Sequence, residues 1–163
     1  YTLHTLFPYT TLFRSLTESA AILIHLGLEF PAADLLADNR AQILRGLVYI
    51  AANCYSAIGI IDYPTRWLGD ADEAAQAQLI SGTRHYLHRA WLVFADQFAD
   101  QLFAADQQPN ALGIMAAAVS RWDAAREALH ASRSAFAQTL DRVDADPLVA
   151  PVFARHWPEW EVS

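Results

Sequence analysis

Leu16-Thr17-Glu18-Ser19-Ala20-Ala21-Ile22-Leu23-Ile24-His25-Leu26-Gly27 is the stretch that sets the reading of the whole chain. An acid and a hydroxyl stand directly before an apolar run, which is how a helix N-terminus is written. The pattern predicts a short helix over 18–27, capped by Ser19 or Thr17 and ended by Gly27. The first N–H groups of such a helix have no intrahelical partner, and a carboxylate is their natural ligand. A linker over 28–36, with Phe30-Pro31 inside it, follows.

From Asp34 onward the pattern is helical throughout. Asp38 or Asn39 can open a long helix to about Gly59, with Ile43, Leu44, Leu47, Ile50, Ala51 and Ile58 on one apolar face. Asp62-Tyr63-Pro64 breaks it. Asp70 or Asp72 can cap the next helix, to about Ala104, with Leu79, Tyr86, Leu87, Ala90, Trp91, Phe94, Phe98 and Leu102 as its buried stripe. Gly82 is a point of weakness in it, costing about 1 kcal/mol relative to Ala. A third helix is expected from Ala111 to about His130, with Leu112, Met115, Ala116, Val119 and Trp122 inward, and a fourth over 133–143. Asp146-Pro147 is placed to begin the last, which Pro158 stops after Trp157. No stretch after Pro31 alternates with a period of two. The fold class expected is all-α, a bundle of about five helices.

Composition narrows the function classes. The chain has 163 residues, enough for one ordinary domain with a real core. Its net charge of −7, with no basic stripe, argues against nucleic acid as a partner. No uninterrupted run approaches the roughly 18–20 apolar residues of a membrane span, so the 54% hydrophobic content is expected to be core plus partner surface, in a cytoplasmic protein. One cysteine, Cys54, excludes an internal disulfide. No basic-then-apolar secretory signal is present.

LTESAAILIHLG followed by Phe30-Pro31 resembles the last strand-to-helix turn of the thioredoxin-like half of glutathione transferases. The resemblance continues over 34–157 in helix order and length, and through Asp-Tyr-Pro-Thr-Arg-Trp (62–67), Trp91, Val119-Ser120-Arg121-Trp122 and His-Trp-Pro (156–158). It implies a five-helix C-terminal-type bundle over 32–163, preceded by a remnant of the thioredoxin-like domain over 16–31. It also implies that Glu18 and Ser19 hold the γ-glutamyl end of glutathione, which serves as co-substrate with no other cofactor. The activity implied for the full-length, bacterial-type protein, a homodimer, is attack of glutathione thiolate on a small hydrophobic electrophile. Two departures stand out. Gly113 occupies the acid position of the usual Ser/Thr-x-x-Asp capping box, which suggests a less well-stapled central helix. The Val-Pro segment and the thiol-activating Tyr, Ser or Cys are absent, so no catalytic residue is assigned and the truncated chain is expected to be inactive. A non-catalytic helical interaction module of the same fold is the alternative.

Residues 1–15, YTLHTLFPYTTLFRS, differ from the rest: Thr-Leu-Phe occurs twice and no acid is present. They read as translated sequencing-adapter sequence of the kind met at the ends of metagenomic reading frames; a strand–turn–strand hairpin is the other reading. Elsewhere Cys54 reads as a small buried hydrophobe. His85 and His88, three apart, could in principle ligate a metal, but with Arg84 and Arg89 beside them they read as a solvated basic patch, and no metal is expected. Asp96 and Asp100 read as a solvated face. Tyr49, Tyr55, Trp67, Trp91 and Trp122 are candidates to line an apolar pocket, against the commoner role of aromatics as core.

Overall fold

A computed structural model describes residues 16–36 and 39–157. The expectations for residues 1–15, for Asp38 as a cap and for Pro158 as a helix stop lie outside these. The described residues are all-α: α1 (Ser19–Glu29), α2 (Arg40–Tyr49), a π-helical turn (Ile50–Tyr55), α3 (Ser56–Asp62), α4 (Thr65–Leu68), α5 (Glu73–Phe98), α6 (Ala111–Val119), α7 (Ala125–Ser132), α8 (Ser134–Asp144) and α9 (Ala150–His156). The β pairing among them is an isolated bridge between Phe103 and Pro109.

Residues 40–62 are helical from end to end. By length (23 residues) and composition (an 18-residue window of mean hydropathy 1.4) this segment is long and apolar enough to cross a membrane, although no uninterrupted apolar run reaches that length. It instead presents Ile43, Leu47, Ile50, Cys54, Ala57, Ile58 and Ile61 to the core of the bundle. The α5 helix opens where Asp72 accepts the Ala75 N–H at 2.8 Å. Its stripe is buried from Leu87 to Phe98, whereas Tyr86 is 42% exposed and Leu79 half-buried. Gly82 does not kink it: the helix runs through, with open space where a Cβ would stand.

Four boundaries differ from the sequence reading. The α5 helix ends at Phe98, short of Ala104, because the chain tightens into a single turn over Ala99–Gln101 and Phe103 then pairs with Pro109. The α1 helix runs past Gly27, which packs against Leu36 so closely that a Cβ would lie 2.5 Å from Leu36 Cγ. The expected third helix is cut in two. Asp123 and Ala124 both take positive φ (55°), and Arg84 and His88 on α5 hold Asp123 by its carboxylate (3.0 Å) and its carbonyl (2.9 Å). Pro147 sits in a turn rather than at a helix start; Pro151 is the proline in the first turn of α9.

The central α6 helix is the pivot, with seven of its nine residues buried. Asn110 caps it, accepting the Gly113 N–H at 3.0 Å and donating to the Gln101 carbonyl at 2.8 Å. In a capping box an acid at 113 would accept the cap residue's own N–H. Here the Leu102 carbonyl accepts it, at 3.1 Å, and a Cβ at 113 would lie 2.3 Å from that oxygen. The glycine is therefore the condition for a backbone substitute, and the expectation of a poorly stapled helix is corrected. At the other end, Arg126 (α7) donates to the Ala117 carbonyl and pairs with Asp144 (α8) at 2.8 Å, while Arg121 pairs with Asp144 at 2.9 Å. All three side chains are at most 4% exposed. Burial pulls the Arg121 guanidinium below its ordinary value, against Asp144, which holds it up.

Candidate functional site

Where α1 begins, the backbone is unusual. Glu18 has φ 69° and ψ 111°, whereas the positive-φ residues Asp34 (φ 47°, ψ 28°) and Ala124 (φ 55°, ψ 24°) lie in the ordinary left-handed region. Such a conformation in a non-glycine residue costs on the order of 1–3 kcal/mol and persists only where its surroundings impose it. Ser19 is not the cap: it is the first helical residue, Glu18 stands at the cap position, and no side chain accepts a hydrogen bond there. The first N–H groups of α1 have no intrahelical partners.

A cavity of about 340 Å³ lies beside this helix start, between α1, the π-turn and α6, lined by Glu18, Ser19, Ile22, Ala51, Tyr55 and Met115. Three separate segments converge on it. Leu35 fixes the geometry from below: its carbonyl accepts the Ala111 N–H at 2.9 Å, tying the linker after α1 to the start of α6. Glu18, Ser19 and the Tyr55 hydroxyl are its polar groups, and Ile22, Ala51 and Met115 are apolar, a mixture that suits a ligand with both charged and apolar parts.

Of the five aromatic candidates, Tyr55 lines this cavity. Trp122 stands behind it, ring centroids 6.4 Å apart, and Trp157 meets Trp122 edge-on at 6.0 Å. Trp91 is core, fully buried against Phe94. Tyr49 packs on Phe94 and Phe98 and donates to the Ala90 carbonyl at 3.0 Å; burial, then Cys54 and Tyr86, raise its phenol. Trp67 is 63% exposed, away from the cavity. A second, shallower groove of about 520 Å³ lies between α3, α4 and α5, lined by Ile60, Leu68, Leu79, Gly82 and Tyr86.

The remaining candidates are structural. Cys54 is fully buried, and burial lifts its thiol from 9.0 to about 12, so it is not a nucleophile at neutral pH. His85 meets the Ser81 carbonyl, one turn earlier, and His88 the Asp123 carbonyl. Among the described residues no three His, Cys, Asp or Glu side chains cluster as metal ligands. Asp96 and Asp100 do not act as a pair: Asp96 is held below the usual carboxylate range by its hydrogen bond to Arg133, 2.8 Å away. Sequence reasoning missed the π-turn and the strain at Glu18, since neither has a composition signature.

No protein-family model, curated protein or solved structure matches the chain.

Proposed function

We propose that the cavity at the head of α1 is the γ-glutamyl end of a glutathione site, and that the chain is the anchoring edge and helical half of a glutathione transferase. The observation that carries this reading is the strained backbone at Glu18 beside an uncapped helix start, next to a cavity bordered by Ala51, Tyr55 and Met115. In this reading the first N–H groups of α1 and the Ser19 hydroxyl hold the ligand's carboxylate, Glu18 pairs with its ammonium, and Tyr55 and Met115 border the space for a small hydrophobic electrophile. The protein conjugates glutathione thiolate to that electrophile in a full-length, dimeric, cytoplasmic form.

A second feature supports a larger whole. The outer side of α1 and its sequel leave Leu26, Leu28 and Phe30 36–60% exposed, an apolar surface that fits cover by a preceding domain. The test is the reading frame of the source DNA across the codons for Ser15 and Leu16, taken with long reads. The expected result is a frame running upstream into a thioredoxin-like half with a Val-Pro segment and a thiol-activating residue. A genomic YTLHTLFPYTTLFRS would remove the catalytic reading and leave the non-catalytic module.

A further inference from the structure

The segment 40–62 changes register in its middle. Residues Ile50–Tyr55 form a π-helical turn, in which each hydrogen bond spans five residues instead of four. Such turns are rare and occur chiefly at functional sites, because the wider turn re-aims side chains. Two consequences are visible. The α2 and α3 halves rest on different neighbours, α2 chiefly on α6 and α3 on α5. Widening the turn beyond the 3.6 residues of an α-helix also brings positions four apart closer to one bearing. Ala51 and Tyr55 are four apart, and both line the cavity.

Something must hold the turn against relaxation to an ordinary α-helix. Asn53, in the middle of it, is bonded at both ends of its amide. Its Nδ2 donates to the Tyr49 carbonyl at 3.0 Å, at the residue where the register changes. Its Oδ1 accepts the Tyr86 hydroxyl at 2.8 Å, from α5. The second bond crosses between helices, so it ties the turn to a neighbour that does not itself line the cavity at Glu18.

We propose that Asn53 is a positioning residue: pinned by Tyr86, it holds the π-turn in the register that directs Tyr55 into the cavity beside Glu18 and Ser19. The role assigned to Tyr55, contact with the apolar part of a glutathione-type ligand, rests on the function proposed above; the positioning itself does not.

The test uses the 163-residue chain with 3-fluorotyrosine placed at position 55 and read by ¹⁹F NMR. Tyr86→Phe removes one hydroxyl from a 42%-exposed side chain and leaves the fold intact. Asn53→Ala removes both bonds. Each is expected to move the Tyr55 resonance, and the double variant no further than Asn53→Ala alone. Titration with millimolar S-hexylglutathione is expected to move the wild-type resonance, with the midpoint raised about tenfold by Tyr86→Phe, the equivalent of one hydrogen bond. A variant resonance that stays at the wild-type position overturns the proposal. A resonance that moves in the variants but ignores S-hexylglutathione in the wild type supports the positioning and overturns the glutathione reading of the cavity.

Discussion

Two helices of this protein start in opposite ways. The α6 helix has its N-terminus closed: Asn110 caps it, Leu102 supplies the return acceptor, and seven of nine residues are buried. The α1 helix has no side-chain cap, begins from a strained Glu18, and buries only Gly27 completely. Both are apolar and both follow a polar residue, but only Asn110 is of the capping type. The difference lies in the residue at the cap position. The Asn110 amide reaches back to the helix N–H groups, and the anchored α6 is a beam; Glu18 makes no such bond, and α1 is seated more loosely beside a cavity.

Four measurements can break or sharpen that contrast. The largest effect belongs to the charge cluster that anchors the far end of α6. Asp144→Ala leaves Arg121 and Arg126 buried beside each other with Asp141, 3.0 Å from Arg126, as the remaining carboxylate, and urea unfolding should show a loss of about 3 kcal/mol. A loss under 1 kcal/mol would mean that this end of the bundle is not rigid.

Next come two of the three tight glycines, one at each helix under comparison. Gly113→Ala pushes a methyl against the Leu102 carbonyl, backbone that cannot yield, and should cost about 3 kcal/mol. Gly27→Ala meets the Leu36 side chain, which can rotate away, and should cost about 1 kcal/mol. Equal costs in thermal unfolding would erase the distinction between a fixed beam and a loosely seated helix.

The caps give a smaller and sharper comparison. Asn110→Ala should destabilise by about 2 kcal/mol, since it removes a cap and orphans the Gln101 carbonyl. Ser19→Ala should change stability by less than about 0.5 kcal/mol, because Ser19 caps nothing. A stability loss of 1 kcal/mol on Ser19→Ala would return that residue to a structural role.

The smallest expected effect is none. Cys54 should resist labelling by a disulfide reagent at pH 8, its thiol being held protonated with a pKa of about 12. The linkage runs one way. An acid whose folded pKa is raised contributes stability in full below about pH 9, and that contribution is lost as pH rises toward 12. A labelling rate matching that of the unfolded chain would show that the α2–α3 segment opens locally.

Much of the fold was legible because helices carry their own periodicity. The core positions Ile43, Leu47, Ile50, Trp91, Phe94, Leu112 and Val119 follow from spacing alone, and all are buried. The break at Asp62-Tyr63-Pro64 follows from proline chemistry; residue type left Asp70 and Asp72 both open as caps, and the structure uses Asp72. The break inside the expected third helix did not follow. Ala124-Ala125-Arg126-Glu127 reads as continuous helix, and only Arg84 and His88, more than thirty residues earlier in sequence, hold Asp123 in the turn that ends it. Gly113 was legible as a departure but not as a solution, because the carbonyl that replaces the acid belongs to another loop.

By itself the sequence determined an all-α chain and most of the faces its helices bury, since periodicity acts within a few positions of the chain. Only the tertiary structure decided that Glu18 is strained, that Ser19 caps nothing, and that Tyr55 alone among the five aromatic candidates lines the cavity at the head of α1. Those outcomes depend on contacts between segments distant in sequence, where packing and shared hydrogen bonds override local preference.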